Sequence, residues 1–134
     1  MNMRTIEPEG WKAPRGYANG VLVSGAGQLL FVAGQIAWDA GQQLVGRGDL
    51  ARQFDQALAN VLAVVSAAGG KPEHVVRMTV YVTDKRAYLA QTSAIGAAWR
   101  LRMGRHFPAM ALVQVADLLE DGAQVEIEAT AALP

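Results

Sequence analysis

The order of hydrophobic patterns along the chain predicts an α+β domain, a single mixed sheet with two helices packed on one face: strand, strand, helix, strand, helix, strand, strand. Three observations carry this. Leu50, Phe54, Ala57, Leu58, Val61, Val65 and Ala68 recur at helical spacing, which makes a long amphipathic helix. Val75–Val82 and Val125–Ala129 alternate with period two, which makes strands. A strand that returns after a helix is expected to cross over right-handedly to a parallel neighbour.

The elements follow in order. Residues 1–20 carry Pro8, Gly10, Pro14, Gly16 and Gly20 and read as an irregular arm, with Trp11 as an anchor on the core and Tyr17 as an anchor or a pocket wall. Val21–Val23 and Leu29–Ala33, separated by the glycine-containing Ser24–Gln28, read as a hairpin. Asp49 is placed to cap the long helix, and Gly69-Gly70 with Pro72 to stop it. Asp84 then caps a second helix carrying Tyr88, Ile95, Trp99 and Arg102, closed by Gly104. The last two strands are Phe107–Val115 and Val125–Ala129.

At 134 residues the chain forms one domain, residues 1–134, with one core. A hydrophobic content of 51% against 18% charged is high for so small a surface, and it points to apolar area covered by further copies of the chain. Twelve basic and twelve acidic side chains cancel, so the electrostatic footprint of a nucleic-acid binder is missing, and the reading is no nucleic-acid partner. Arg100, Arg102 and Arg105 read as cations complementing the end of the second helix. Cysteine is absent, which excludes disulfides and thiolate chemistry. No apolar run approaches membrane-spanning length and the first residues do not resemble a signal peptide, so the expectation is a cytoplasmic protein with no membrane partner.

The chemistry then falls on carboxylates. His74 and His106 lack partners at metal-ligand spacing, and no GxSxG accompanies the serines, so neither a metal nor a serine nucleophile is expected. In Val125–Thr130 the alternation places Glu126, Glu128 and Thr130 on one face and Val125, Ile127 and Ala129 on the other. Two readings stay open: a solvated strand face, or a glutamate working as general base in a cleft. With Arg77, Thr79 and Tyr81 this face is too polar for a core yet too apolar for a wholly wet surface. Packing between subunits would bury it and leave crevices.

Phe107-Pro108-Ala109 before an apolar strand and then Val125-Glu126-Ile127-Glu128-Ala129 resembles the signature of the Rid (reactive intermediate deaminase) family. Gly16-Tyr17-Ala18-Asn19-Gly20, Ala33-Gly34-Gln35-Ile36 and Arg77–Val82 resemble further family stretches, in the right order over nearly the whole chain. The resemblance implies a chorismate-mutase-like protomer, a homotrimer with a site at each subunit interface, and cofactor-free hydrolysis of a reactive enamine or imine to ammonia and a carbonyl. Residue by residue it assigns the catalytic water to Glu126 and substrate contacts to Tyr17, Gly34, Ser93, Met110 and the backbone of Leu112.

The chain departs from that pattern at Met110, where the deaminases carry arginine directly after Pro-Ala. That arginine clamps the carboxylate of amino-acid-derived imines, and a bidentate charge-assisted contact contributes about 1.5–3 kcal/mol, so its loss is expected to cost roughly tenfold to a hundredfold on such substrates. Met110 offers a flexible apolar wall instead. Open alternatives are a ligand without that carboxylate, a carboxylate held by Arg15 or Arg105, and a small-ligand-binding trimer that has lost catalysis.

Overall fold

The computed structural model describes all of Met1–Pro134. Strand β1 (Asn2–Ile6) pairs antiparallel with β2 (Gly20–Ser24) as a separate ribbon. The main sheet has four strands in the order β3 (Gln28–Gln35), β6 (Val125–Leu133), β4 (Val75–Val82), β5 (Ala109–Gln114). β6 runs antiparallel to both β3 and β4, whereas β4 and β5 are parallel.

Helix α1 (Leu50–Ala67) starts at Asp49, whose carboxylate accepts from Arg52 N–H at 3.2 Å. One face of α1, through Leu50, Phe54, Ala57, Leu58, Val61 and Val65, is buried against β6 and β3. Burying each of the larger of these side chains contributes about 1.5–3 kcal/mol. Gly69, at φ 85, supplies the left-handed residue beyond the helix end, and a short 3-10 turn at Pro72–His74 leads into β4. The second helix is broken: α2 (Lys85–Ala90) begins at Asp84, which accepts from Arg86 and Ala87 N–H, and α3 (Thr92–Met103) ends at Gly104 with φ 62. Gln91, at the break, accepts from Ala51 N–H through its side chain and so fixes α2 and α3 to the start of α1. Arg102 of α3 grips Asp55 of α1 through two nitrogens, at 2.6 and 3.0 Å. No helix is long and apolar enough to cross a membrane.

Several expectations are corrected. Residues 2–6 form β1 and not irregular arm, because the punctuation begins only at Pro8 and the edge of β2 is free to pair. The hairpin between residues 21–23 and 29–33 does not form: β2 pairs with β1, and β3 is taken by the nine-residue β6. Gly27 explains the choice, since its N–H donates to Leu133 O and a Cβ there would lie 2.8 Å from the Pro134 carbonyl. The glycine admits the C-terminal strand rather than turning a hairpin. β3 and β4 are parallel but not adjacent, with β6 between them; the adjacent parallel pair is β4–β5. Trp11 does not anchor the arm, being 66% exposed.

Candidate functional site

Alternation decides where the side chains of β6 go. Val125, Ile127, Ala129 and Ala131 are buried beneath the helices, so Glu126, Glu128 and Thr130 lie on the opposite, open face. There Glu126 stands opposite Tyr81 and Glu128 opposite Thr79 on β4. The two carboxylates differ in what they touch. Glu128 accepts the Tyr81 hydroxyl at 2.7 Å, and this hydrogen bond, with burial and the carboxylate charge, raises the Tyr81 phenol above its ordinary value of 10.0. Glu126 makes no hydrogen bond or ion pair within the chain.

Gly34 makes room for that free carboxylate. β3 shifts register between Val32 and Gln35, a bulge that leaves Ala33 and Gly34 without ladder partners and bends the strand over β6. A Cβ on Gly34 would sit 2.5 Å from Glu126 Oε1, closer than real side chains approach. Any side chain at this position would push the Glu126 carboxylate out of its present place. Glu126 and Gly34 share a cleft of about 340 Å³ with Gln35, Trp38, Leu119 and Glu120. The loop carrying Leu119 and Glu120 is held from α1: the fully buried Gln53 donates to Gly122 O at 3.0 Å and accepts from Gln124 N–H at 2.9 Å.

Tyr17, Met110 and Leu112 lie elsewhere. In the parallel register Met110 stands beside Met78 and Leu112 beside Val80, whose side chains are buried on the helix side, so both face away from Glu126. The arm reaches them through Ala18, which donates to Pro108 O at 3.0 Å and bridges to Ala109 at the start of β5. Tyr17, Met110 and Leu112 line a cleft of about 400 Å³ with Lys85, Tyr88 and Leu89. Ser93 is exposed in the first turn of α3 and lines neither cleft. The six residues therefore divide within one protomer: Glu126 and Gly34 on the open face, Tyr17, Met110 and Leu112 across the sheet, and Ser93 apart. No group of three or more His, Asp or Glu stands close enough to hold a metal ion.

The sequence and the fold have parallels among known proteins. Residues 11–133 match the sequence model of the family described as Endoribonuclease L-PSP. The crystal structure of YyfB from Yersinia pestis, described as a member of the conserved Rid protein family, superposes with a TM-score of 0.87 at 37% identity, covering 99% of this chain and 100% of that one. The chain belongs to the Rid family. Among its Rid-type relatives, the 2-iminobutanoate/2-iminopropanoate deaminase of Salmonella typhimurium is 36% identical over 129 residues, 96% of either chain. Protein DfrA of Myxococcus xanthus is 36% identical over 124 residues, 90% of this chain and 87% of its own.

Tyr88, Lys85, Trp38 and Glu120 line these two clefts of the Rid protein without having been singled out for them in the sequence. One signal was available. Ala109, Met110, Ala111 and Leu112 alternate small and large, which puts Met110 and Leu112 together on the face that packs helices. Nothing comparable marks Glu120, whose place depends on the loop that Gln53 ties down.

Proposed function

We propose that the protein is a homotrimeric, cofactor-free deaminase that hydrolyses a reactive enamine or imine to ammonia and a carbonyl. Each site combines Glu126 and Gly34 of one protomer with the Tyr17–Met110–Leu112 cleft of the next. The observation that carries this reading is the unengaged carboxylate of Glu126 set over Gly34, beside a Glu128 already occupied by Tyr81. Water adds to the iminium carbon as Glu126 takes one of its protons; the carboxyl returns that proton to nitrogen, the carbon–nitrogen bond breaks, and the oxygen's remaining proton leaves with ammonia as ammonium. The Gly34 bulge offers unpaired backbone to the developing oxygen charge.

Two protomers are invoked because neither cleft is sufficient alone. One holds the base, and the other holds apolar wall with Tyr17 and Tyr88 and no carboxylate. The open sheet face and the edge strand β5 also leave Leu29, Phe31 and Val113 exposed at 61%, 75% and 40%, apolar area of the kind subunits cover. The names of the deaminase relatives support the chemistry.

Subunit mixing tests the reading. Glu126→Gln and Tyr17→Ala proteins, each assayed for ammonia release from imines generated in solution, are expected to be impaired separately and to regain part of the activity when unfolded and refolded together. Light scattering should give three times the 14.3 kDa chain mass. A monomer mass, or no recovery on mixing, rejects the shared site; wild-type protein that binds ligands but never exceeds spontaneous hydrolysis makes it a ligand-binding trimer.

A further inference from the structure

The cleft on the helix side continues beyond Met110 into a larger space of about 650 Å³, and Gly16, Tyr88 and Met110 line both parts. Its walls are apolar and largely aromatic: Phe54 from α1, Ile95 and Trp99 from α3, and Phe107 ahead of β5. The Trp99 and Phe107 rings stack at 5.8 Å with 4° between their planes, and the indole N–H is satisfied by His106 O at 3.2 Å, so this wall is rigid. The lining also contains Arg15, Arg100 and Arg105, and no carboxylate.

These guanidiniums lack partners of their own. The chain's single salt bridge uses Arg102, whose neighbour Asp55 accounts for that residue completely. Complementing the end of α3 would explain Arg100, but it does not explain why Arg15, from the arm, converges on the same place. Arg100 is exposed, yet its guanidinium does not point straight away from the helix. A Cβ at Gly96, one turn earlier, would come within 3.4 Å of Arg100 Nη1, so the guanidinium folds back over a helical glycine toward the cleft. The Tyr88 and Thr92 hydroxyls line the space and make no hydrogen bond within the chain, leaving further donors for a ligand.

We propose that this extension is the carboxylate subsite of the reaction, and that it selects 2-imino acids with an aromatic or large branched side chain. The inference rests on the deaminase reading above. Arg100 and Arg105 take the carboxylate, Arg15 approaches from the arm, and the side chain lies against Trp99, Phe107 and Ile95. Met110 contributes a flexible apolar wall where the two parts join, and the imine carbon is left toward Tyr17 and Leu112, the end open to a neighbouring protomer. A three- or four-carbon imino acid would leave most of the volume without contacts, which forfeits dispersion and burial together. The reaction is unchanged in balance: iminium plus water gives the 2-oxo acid and ammonium.

Calorimetric titration of the intact protein with phenylpyruvate and with pyruvate, the corresponding 2-oxo acids, tests the subsite directly. Phenylpyruvate is expected to bind at least about tenfold more tightly, and the double variant Arg100→Gln, Arg105→Gln to lose about tenfold or more of that affinity while Arg86→Gln, on the surface of α2, keeps it. Both arginines are exposed, and an unchanged thermal midpoint checks that the double variant is folded. Equal affinity for the two acids, or phenylpyruvate affinity retained in the double variant, overturns the subsite. Ammonia assays keep the two readings apart. Arginine-dependent binding without accelerated ammonia release leaves the subsite and removes the deaminase; ammonia release from aromatic imines that is undiminished in the double variant does the reverse.

Discussion

The two clefts on opposite faces of the sheet are built by opposite means. Around Glu126 space is made by taking a side chain away at Gly34, and the result mixes Glu120, Gln35 and Gln42 with Ile36, Trp38 and Leu119 and is placed by strand register. Around Met110 space is left between elements, where α1, α3 and the arm fail to meet, and the result is larger and apolar. On the reading proposed above, reactivity and recognition are separated by the thickness of one sheet and are joined only in an assembly of protomers. Helix α1 touches both sides through neighbouring residues: Gln53 fixes the loop beside Glu126, and Phe54 lines the apolar space.

That separation makes the two sides separately breakable. The largest effect is expected from Glu126→Gln, which keeps the shape but cannot accept a proton; ammonia release should fall about 10²–10⁴-fold with no shift in thermal midpoint. Gln53→Leu should act through the fold, since Gly46 and Gly122 carbonyls and the Gln124 N–H lose their partner; urea denaturation should report a loss of about 2–4 kcal/mol. Gly34→Ala should leave the apolar side intact and push the carboxylate aside, lowering kcat roughly tenfold to a hundredfold while KM for the same substrate stays nearly constant. Met110→Arg touches only the recognition side: ammonia release from small 2-imino acids should rise about tenfold, at a stability cost of about 1 kcal/mol for a guanidinium with no partner in the empty site.

The smallest effect is a matter of pH. Because Tyr81 holds its proton more tightly folded than unfolded, its contribution is complete below the ordinary phenol value of 10.0 and is lost as pH rises through the folded value. Stability should therefore decline above about pH 10, and less steeply in Tyr81→Phe. Spectrophotometric titration should show the variant losing one late-titrating phenol and keeping Tyr88, which burial also raises.

Much of this was legible from periodicity. The long helix, the caps at Asp49 and Asp84, and the face shared by Glu126 and Glu128 depend on local spacing and were read correctly, whereas the second helix was read as one and is broken at Gln91. Pairing was harder, because Gly25 and Gly27 look the same whether they turn a hairpin or admit a distant strand; only the position of Leu133 and Pro134 distinguishes the two. For the candidate site, the pattern put both glutamates on one side but could not say which was already engaged, since that depends on Tyr81 across the sheet. Tyr17, Met110 and Leu112 were gathered with Glu126 in a cleft between subunits, and within one protomer register puts Met110 and Leu112 on the helix side, away from Glu126.

Strand β6 is the last element of the chain and lies between β3 and β4. Without β6, β3 has no partner strand in the main sheet and β4 lacks one of its two, so a chain in which β6 has not yet docked exposes unpaired edges. The sheet cannot close before β6 is present, and the contacts that close it bridge most of the distance from β3 to β6, a regime that is slow and open to aggregation. Truncation ahead of Val125 removes a strand from the middle of the sheet and not an edge.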